Sequence, residues 1–240
     1  MRRCLLAAFL CLAVSAAAAA EFSVSPIRVD VPRGARSAAV SVANDDAQPL
    51  RMQLRLMEWT QDAEGKDVHT ESDALVYYPR MMTIAPGEKR LVRIGIKTPA
   101  GAAERAYRLY IDELPAPAAE RAAASGLTFS IRFALPVFVA PAEATLRGSI
   151  DSITLREGKL RVAVSNPGNR SFRITTVGAR GGAFAAESAG WYLLAGATRV
   201  HQFDVPAEAC RGLRRLDVTV KADGLSLEGG LDVDAGMCTR

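Results

Sequence analysis

From Leu127 to Val139 the chain reads LTFSIRFALPVFV, with a large apolar residue at every odd position. Leu127, Phe129, Ile131, Phe133, Leu135, Val137 and Val139 share one parity; Thr128, Ser130, Arg132, Ala134, Pro136 and Phe138 share the other. A period of two over that length predicts a β-strand, because successive side chains of a strand point to opposite faces. At about 3.3 Å per residue the strand would reach ~40 Å, against a usual length of about 5–6 residues. A small sandwich cannot cover one apolar stripe of that length. Leu135, Val137 and Val139 are expected in the core, and the stretch bearing Leu127, Phe129, Ile131 and Phe133 at an open edge. Proteins normally blunt such edges with charge or proline. An edge left apolar predicts a partner that pairs with it.

The same alternation recurs before and after. Phe22 to Val31 (FSVSPIRVDV) reads as a strand whose Pro26 marks an edge or a bulge. Ala38 to Ala43, Leu50 to Trp59, Tyr77 to Ile84, Lys89 to Ile96 and Tyr107 to Leu114 follow, separated by turn signals at Pro32–Gly34, Asn44–Asp46, Asp62–Asp67 and Ala85–Glu88. In Leu50 to Trp59, Leu50, Met52, Leu54 and Leu56 face one way and Arg51, Gln53 and Arg55 the other, the mark of a half-buried strand. Pro115 to Gly126 is rich in alanine and proline and reads as a loop, and Pro141 to Ala144 as a hinge. Leu146 to Leu155, Lys159 to Ser165, Ser171 to Val177, Trp191 to Leu194, Thr198 to Val205 and Leu213 to Ala222 form a second set of strands, with a turn at Asn166–Asn169. Strands at intervals of about 8–12 residues indicate an all-β protein, here two sandwiches of about 100 residues each. The expected division is residues 21–142 and 143–240.

The first residues change the compartment. Arg2 and Arg3 precede the apolar Leu5 to Val14 and the small residues Ala18 to Ala20, the pattern of a secretory leader over residues 1–20 and too short for a membrane span. An exported chain is expected to oxidise its remaining cysteines, Cys210 and Cys238, to a disulfide. The whole chain carries a net charge of +4, and loss of Arg2 and Arg3 leaves about +2, which is no nucleic-acid footprint.

Catalytic chemistry is not legible. The chain has no GxSxG, HExxH, P-loop or GxGxxG, and only two histidines. His69 falls in the polar hairpin and is expected to be a solvated loop residue; His201 is expected on a strand face. Asp45–Asp46 and the pair Asp232 and Asp234 lack EF-hand spacing and read as solvated turns. No catalytic residue, metal site or cofactor is expected, and the chain reads as a non-enzyme.

From Phe22 to Pro141 the chain resembles the PapD-type periplasmic pilus-assembly chaperones, a sandwich family. The resemblance rests on SVSPIRV with its Arg28, on Trp59 followed by DAEGKD, on IAPGEKRLVRI (Ile84 to Ile94), on ERAYRLYIDELPA (Glu104 to Ala116) and on the long alternating strand. The ALPVFV segment (Ala134 to Val139) is similar to the archaic branch associated with spore-coat-like pilins.

The resemblance implies two immunoglobulin-like β-sandwiches set at an angle like a boomerang, and donor-strand complementation in the periplasm. The long strand, through Leu127, Phe129, Ile131 and Phe133, would fill the groove of a pilus subunit that lacks its last strand, and the loaded chain would hand the subunit to an outer-membrane usher. Self-association through the exposed strand is open to the unloaded chain. The family anchors the subunit's terminal carboxylate on an arginine of the first strand and a lysine of the long strand. Arg28 matches the first, but Pro136 stands where the lysine is expected. Arg93 and Arg132 are the candidates to replace it. The competing readings are a secreted pilin or adhesin, which would be shorter with an N-terminal donor extension, and a carbohydrate-binding module. The latter is disfavoured by an aromatic content of 6%.

Overall fold

The computed structural model describes residues 22–98, 101–115 and 130–238. The expected leader, nearly all of the Ala/Pro-rich loop, and Leu127 and Phe129 lie outside them.

The first ten strands are β1 (Phe22–Ser25), β2 (Val29–Val31), β3 (Ser37–Asn44), β4 (Leu50–Gln61), β5 (Asp67–Glu71), β6 (Leu75–Tyr78), β7 (Met81–Ile84), β8 (Lys89–Ile96), β9 (Arg105–Glu113) and β10 (Arg132–Val139). They form two sheets, β1-β3-β8-β6 and β2-β10-β9-β4-β5, with β7 also paired to β4. The alternation seen in the sequence is what buries one face of each. Val40, Val42, Met52, Leu54, Ile94, Leu109, Ile111, Leu135 and Val137 meet in one core between the sheets. Each such side chain contributes about 1.5–3 kcal/mol on burial.

Two expected strands are each divided by a proline. Phe22 to Val31 is split at Pro26: β1 pairs antiparallel with β3 in one sheet, and β2 pairs parallel with β10 in the other. Tyr77 to Ile84 is split at Pro79, so that β6 lies on β8 and β7 on β4. Proline has no N–H for the ladder and ends the pairing where it stands. Period-two patterning gave no sign of a change of sheet, because both halves still bury alternate residues.

The remaining strands are β11 (Ser149–Arg156), β12 (Lys159–Ser165), β13 (Phe172–Gly181), β14 (Phe184–Ala189), β15 (Tyr192–Leu193), β16 (Thr198–Asp204), β17 (Arg215–Ala222) and β18 (Leu225–Asp232), with a short helix α1 (Ala207–Arg211). Sheets β11-β12-β16 and β14-β13-β17-β18, the latter with β15 against β13, enclose a second core around Leu160, Val162, Val164, Val177, Leu216 and Val220. The sequence did not reveal β14 and β18, which are rich in small and polar residues (FAAESA and LSLEGGLD). Cys210 on α1 is bonded to Cys238 on the last 3-10 turn, with Cα atoms 5.6 Å apart. Closing that loop contributes roughly 3 kcal/mol in the chain-entropy account.

His201 on β16 is 9% exposed, and its Nε2 has no hydrogen-bond partner among the described residues. Burial, helped by Arg199, pushes its pKa from 6.5 down to about 4. The neutral form is thus native, and the unfolded chain binds the proton more readily. The stability this group leaves intact above its unfolded pKa is lost as pH falls from 6.5 towards about 4, by up to ~3 kcal/mol. Urea unfolding at pH 7 and pH 4.5 should show a smaller acid loss for His201→Phe than for wild type. An equal loss in both chains would show that the imidazole is not the acid-sensitive group.

Candidate functional site

The site begins with a strand that outruns its neighbours. β10 lies between β9 and β2, but β2 covers only Val137 to Val139. From Arg132 to Pro136 one side of β10 has no neighbouring strand among the described residues. Its inward parity passes from closed core to open surface along this length. Val137 and Leu135 are 0% and 1% exposed, whereas Phe133 is 36% exposed and rests edge-on against Phe22 at 6.0 Å. The expected thirteen-residue strand is shorter in its described part. Ser130 and Ile131 are not strand, although Ile131 C=O still accepts from Glu113 N–H at 2.9 Å and its N–H donates to Glu113 Oε2 at 3.1 Å.

The other parity of this sheet faces the second sandwich. Trp59 from β4, Ala106 from β9 and Phe138 from β10 form an apolar patch with Leu194, and Tyr192 packs against it. Two arginines lie in this patch. Arg28 has its guanidinium carbon 4.6 Å from the Phe138 ring centre and 5.7 Å from that of Tyr192. It is paired with Asp30, with contacts of 2.8–3.0 Å, and that bond raises its pKa.

Arg108, on β9 opposite Pro136, is 5% exposed. Its guanidinium carbon stands 3.8 Å over Trp59, 5.2 Å from Trp191 and 5.8 Å from Tyr192. Among the described residues no carboxylate forms an ion pair with it, and burial lowers its pKa. Asp67 acts on it from nearby without an ion pair, and a buried guanidinium stacked on rings keeps hydrogen-bonding capacity for an anion.

The hairpin between β4 and β5 fixes the rings in place. Asp67 accepts from Trp191 Nε1 at 2.7 Å and from Gln61 Nε2 at 2.9 Å. Gln61 also donates to Tyr192 C=O and accepts from Leu194 N–H, and Gly65 C=O accepts from Arg199. Gly65 has φ +76°, and a Cβ there would lie 2.6 Å from Thr198 C=O, so the close approach requires glycine. Glu104 is held by Ser171 N–H at 2.9 Å and by the Ser171 hydroxyl, which donates to it. Burial is the main cause that raises its pKa.

Several expected residues lie elsewhere. Arg93 is exposed on β8, opposite Ala39 and Tyr78 in the other sheet, and is not brought to Arg28. Arg132 is on the right sheet, but it binds Asp112, which Arg55 also binds at 3.0 Å, so its charge is already paired. His69 is not in a solvated loop. It is half-buried on β5, stacked 6.4 Å from Trp59 and edge-on to Tyr110 at 5.8 Å, and burial lowers its pKa. Leu127 and Phe129 lie outside the described residues. Arg108 was missed. Its parity with Ala106 and Tyr110 marks the outward face of β9, and outward arginines read as solvated. Trp191 and Tyr192, more than 80 residues away, join Trp59 in covering it.

A family model described as the pili and flagellar-assembly chaperone, PapD N-terminal domain, matches residues 21–145. No curated protein sequence matches the chain. Among solved structures the fold is similar to a chain of the CsuC–CsuE chaperone–tip adhesion subunit pre-assembly complex from archaic chaperone-usher Csu pili of Acinetobacter baumannii. That pair shares 20% identity over 87% of this chain and 98% of the other, with a TM-score of 0.64. A chain of the Salmonella enterica SafA pilin–SafB chaperone complex matches at 18% identity over 90% and 99%, with a TM-score of 0.57.

Proposed function

Because this chain belongs to the PapD-type family of pili and flagellar-assembly chaperones, we propose that it holds pilus subunits by donor-strand complementation in the periplasm and delivers them to an outer-membrane usher. Residues 21–142 would be the subunit-binding sandwich, residues 143–240 the second sandwich that closes over the arginines, and residues 1–20 a cleaved leader.

The observation that carries the reading is the open edge of β10 at Arg132 to Ala134, which runs towards Arg28 and Arg108. An incoming strand gains main-chain hydrogen bonds along such an edge, and alternate side chains set its register. Phe133, with Ile131 and the Leu127 and Phe129 beyond it, would enter the subunit's groove. The subunit's terminal carboxylate would lie between Arg108, which forms no ion pair among the described residues although Asp67 is near enough to act on it, and Arg28, which it would share with Asp30. With its carboxylate at that end, the subunit's last strand runs parallel to β10.

The test is periplasmic co-expression of the tagged chain with pilin subunits, read by native mass spectrometry. A 1:1 complex is expected, and Arg28→Ala should lower its recovery about tenfold, the loss of one charge-assisted bond. Subunits equally abundant without this chain would remove the chaperone reading. Wild-type recovery with Arg28→Ala would remove Arg28 from the anchor.

A further inference from the structure

Arg108 has a carboxylate near it that it does not bind. Burial lowers the Arg108 pKa, and among the neighbouring charges Asp67, at the start of β5, opposes that most. Both Asp67 oxygens are engaged elsewhere. Oδ2 accepts from Trp191 Nε1 at 2.7 Å, and Oδ1 accepts from Gln61 Nε2 at 2.9 Å and faces Arg199 at 3.5 Å. The indole that takes Oδ2 also reaches Arg108, whose guanidinium carbon is 5.2 Å from a Trp191 ring centre. Trp191 thus stands against both halves of an ion pair that does not form. Its place is set by the backbone. Trp191 C=O accepts from Ile174 N–H at 2.9 Å, and a Cβ on Gly190 would lie 2.3 Å from Ile174 C=O, so glycine is needed for the chain to come this close to β13. The ring itself is 41% exposed, whereas Trp59 across the same cluster is 1% exposed. Packing the core does not account for a tryptophan left so open.

Resting on the chaperone reading, we propose that Trp191 is a positioning residue that holds the Asp67 carboxylate off Arg108 and so keeps this arginine open to a partner's anion. Held at this remove, Asp67 offsets part of the desolvation of the buried guanidinium, while the guanidinium N–H groups stay unpaired. In direct contact it would make charge-assisted, bidentate bonds to Arg108 and compete for the donors that an incoming carboxylate needs. Arg28 shows the other arrangement, since Asp30 binds it directly at 2.8–3.0 Å. The two residues come from different sandwiches: Asp67 from the hairpin of the first and Trp191 from the turn before β15 of the second. Docking of the second sandwich on that hairpin is therefore what leaves Arg108 available, a role for residues 143–240 beyond covering the cluster.

The experiment is a competition. Wild type and a variant with a tag of different mass are co-expressed in the periplasm with a limiting amount of one pilin, and native mass spectrometry reads the ratio of the two complexes. Trp191→Phe keeps a ring beside Tyr192 and removes the N–H that holds Oδ2. Its share should fall about tenfold or more, because Asp67 turns to Arg108. Adding Asp67→Asn should return the share to within about twofold of wild type, a rescue that marks the two residues as coupled. A second arm leaves Trp191 in place, so a folding defect in one arm leaves the other decisive. Asp67→Glu, longer by a methylene, keeps the charge and reaches Arg108, and should lose about tenfold. Asp67→Asn cannot form the ion pair and should compete at the wild-type level or above. If Trp191 and Asp67 only fasten the sandwiches together, the double variant does no better than Trp191→Phe, and asparagine loses more than glutamate. Either result, or an undiminished share for Trp191→Phe, overturns the proposal and leaves the chaperone reading standing. Failure of the unaltered chain to form any complex overturns that reading, and the proposal with it.

Discussion

Replacing Arg108 with methionine is expected to leave the free chain at least as stable as wild type while weakening its grip on a pilus subunit a hundredfold or more. Arg108 is 5% exposed and stacked 3.8 Å over Trp59, with no ion-pair partner among the described residues. A cation on a ring gains roughly 0.5–2 kcal/mol. Taking a charge out of water costs several kcal/mol unless it is paired. Methionine keeps an unbranched apolar body against Trp59, Trp191 and Tyr192 and removes the desolvation cost. The charge therefore does little for the free fold. Its return comes when a carboxylate arrives, because a charge-assisted bond contributes about 1.5–3 kcal/mol and a bidentate one more. Urea unfolding of the free chain and titration calorimetry with the subunit read the two effects separately. A less stable Arg108→Met chain with intact binding would make the arginine a structural residue.

The second large effect is expected at the apolar edge. Aspartate at both Ile131 and Phe133 should abolish the 1:1 complex and barely change the thermal midpoint of the free chain. Phe133 is already 36% exposed and Ile131 is half-buried. Burying two such side chains in a partner's groove contributes roughly 3–6 kcal/mol, so their loss is worth two to four powers of ten in Kd. Leu135→Ala, two residues further along the same parity, should do the reverse. Leu135 is 1% exposed in the core, so its truncation should cost about 2–5 kcal/mol of fold stability. If Leu135→Ala and the Ile131/Phe133 double variant behave alike, the inward face of β10 is core throughout.

The contrast between Leu135 and Phe133 was legible in the sequence because alternation and length are local properties. A period of two set the strand, and its excess over a normal strand marked where cover would run out. The sandwiches were legible for the same reason, from Leu50 to Trp59 and Lys159 to Ser165 most clearly. The sheet changes at Pro26 and Pro79 were not: Pro26 reads as an edge or a bulge until the pairing of β1 with β3 and of β2 with β10 is known, and Tyr77 to Ile84 reads as one strand until β6 is seen on β8 and β7 on β4. The arginines divide in the same way. Arg28 was singled out through its place in a family-like first strand. Arg93 lies in the other sheet, which parity alone does not tell. Arg108 stayed hidden because Trp191 and Tyr192 reach it from the second sandwich. His69 likewise reads as loop until Trp59 and Tyr110 close over it.

Amide hydrogen exchange at Arg132 and Ala134, compared between the free chain and the 1:1 complex, tests the open edge of β10 most directly. Both N–H groups point away from β9, and no strand covers them among the described residues, so they should exchange quickly in the free chain. Strong protection of these two amides on subunit binding, with no change at Leu75 to Tyr78 on the edge strand β6, is the expected result. Protection confined to β6, or none at Arg132 and Ala134 in a stable complex, would show that the subunit is held elsewhere.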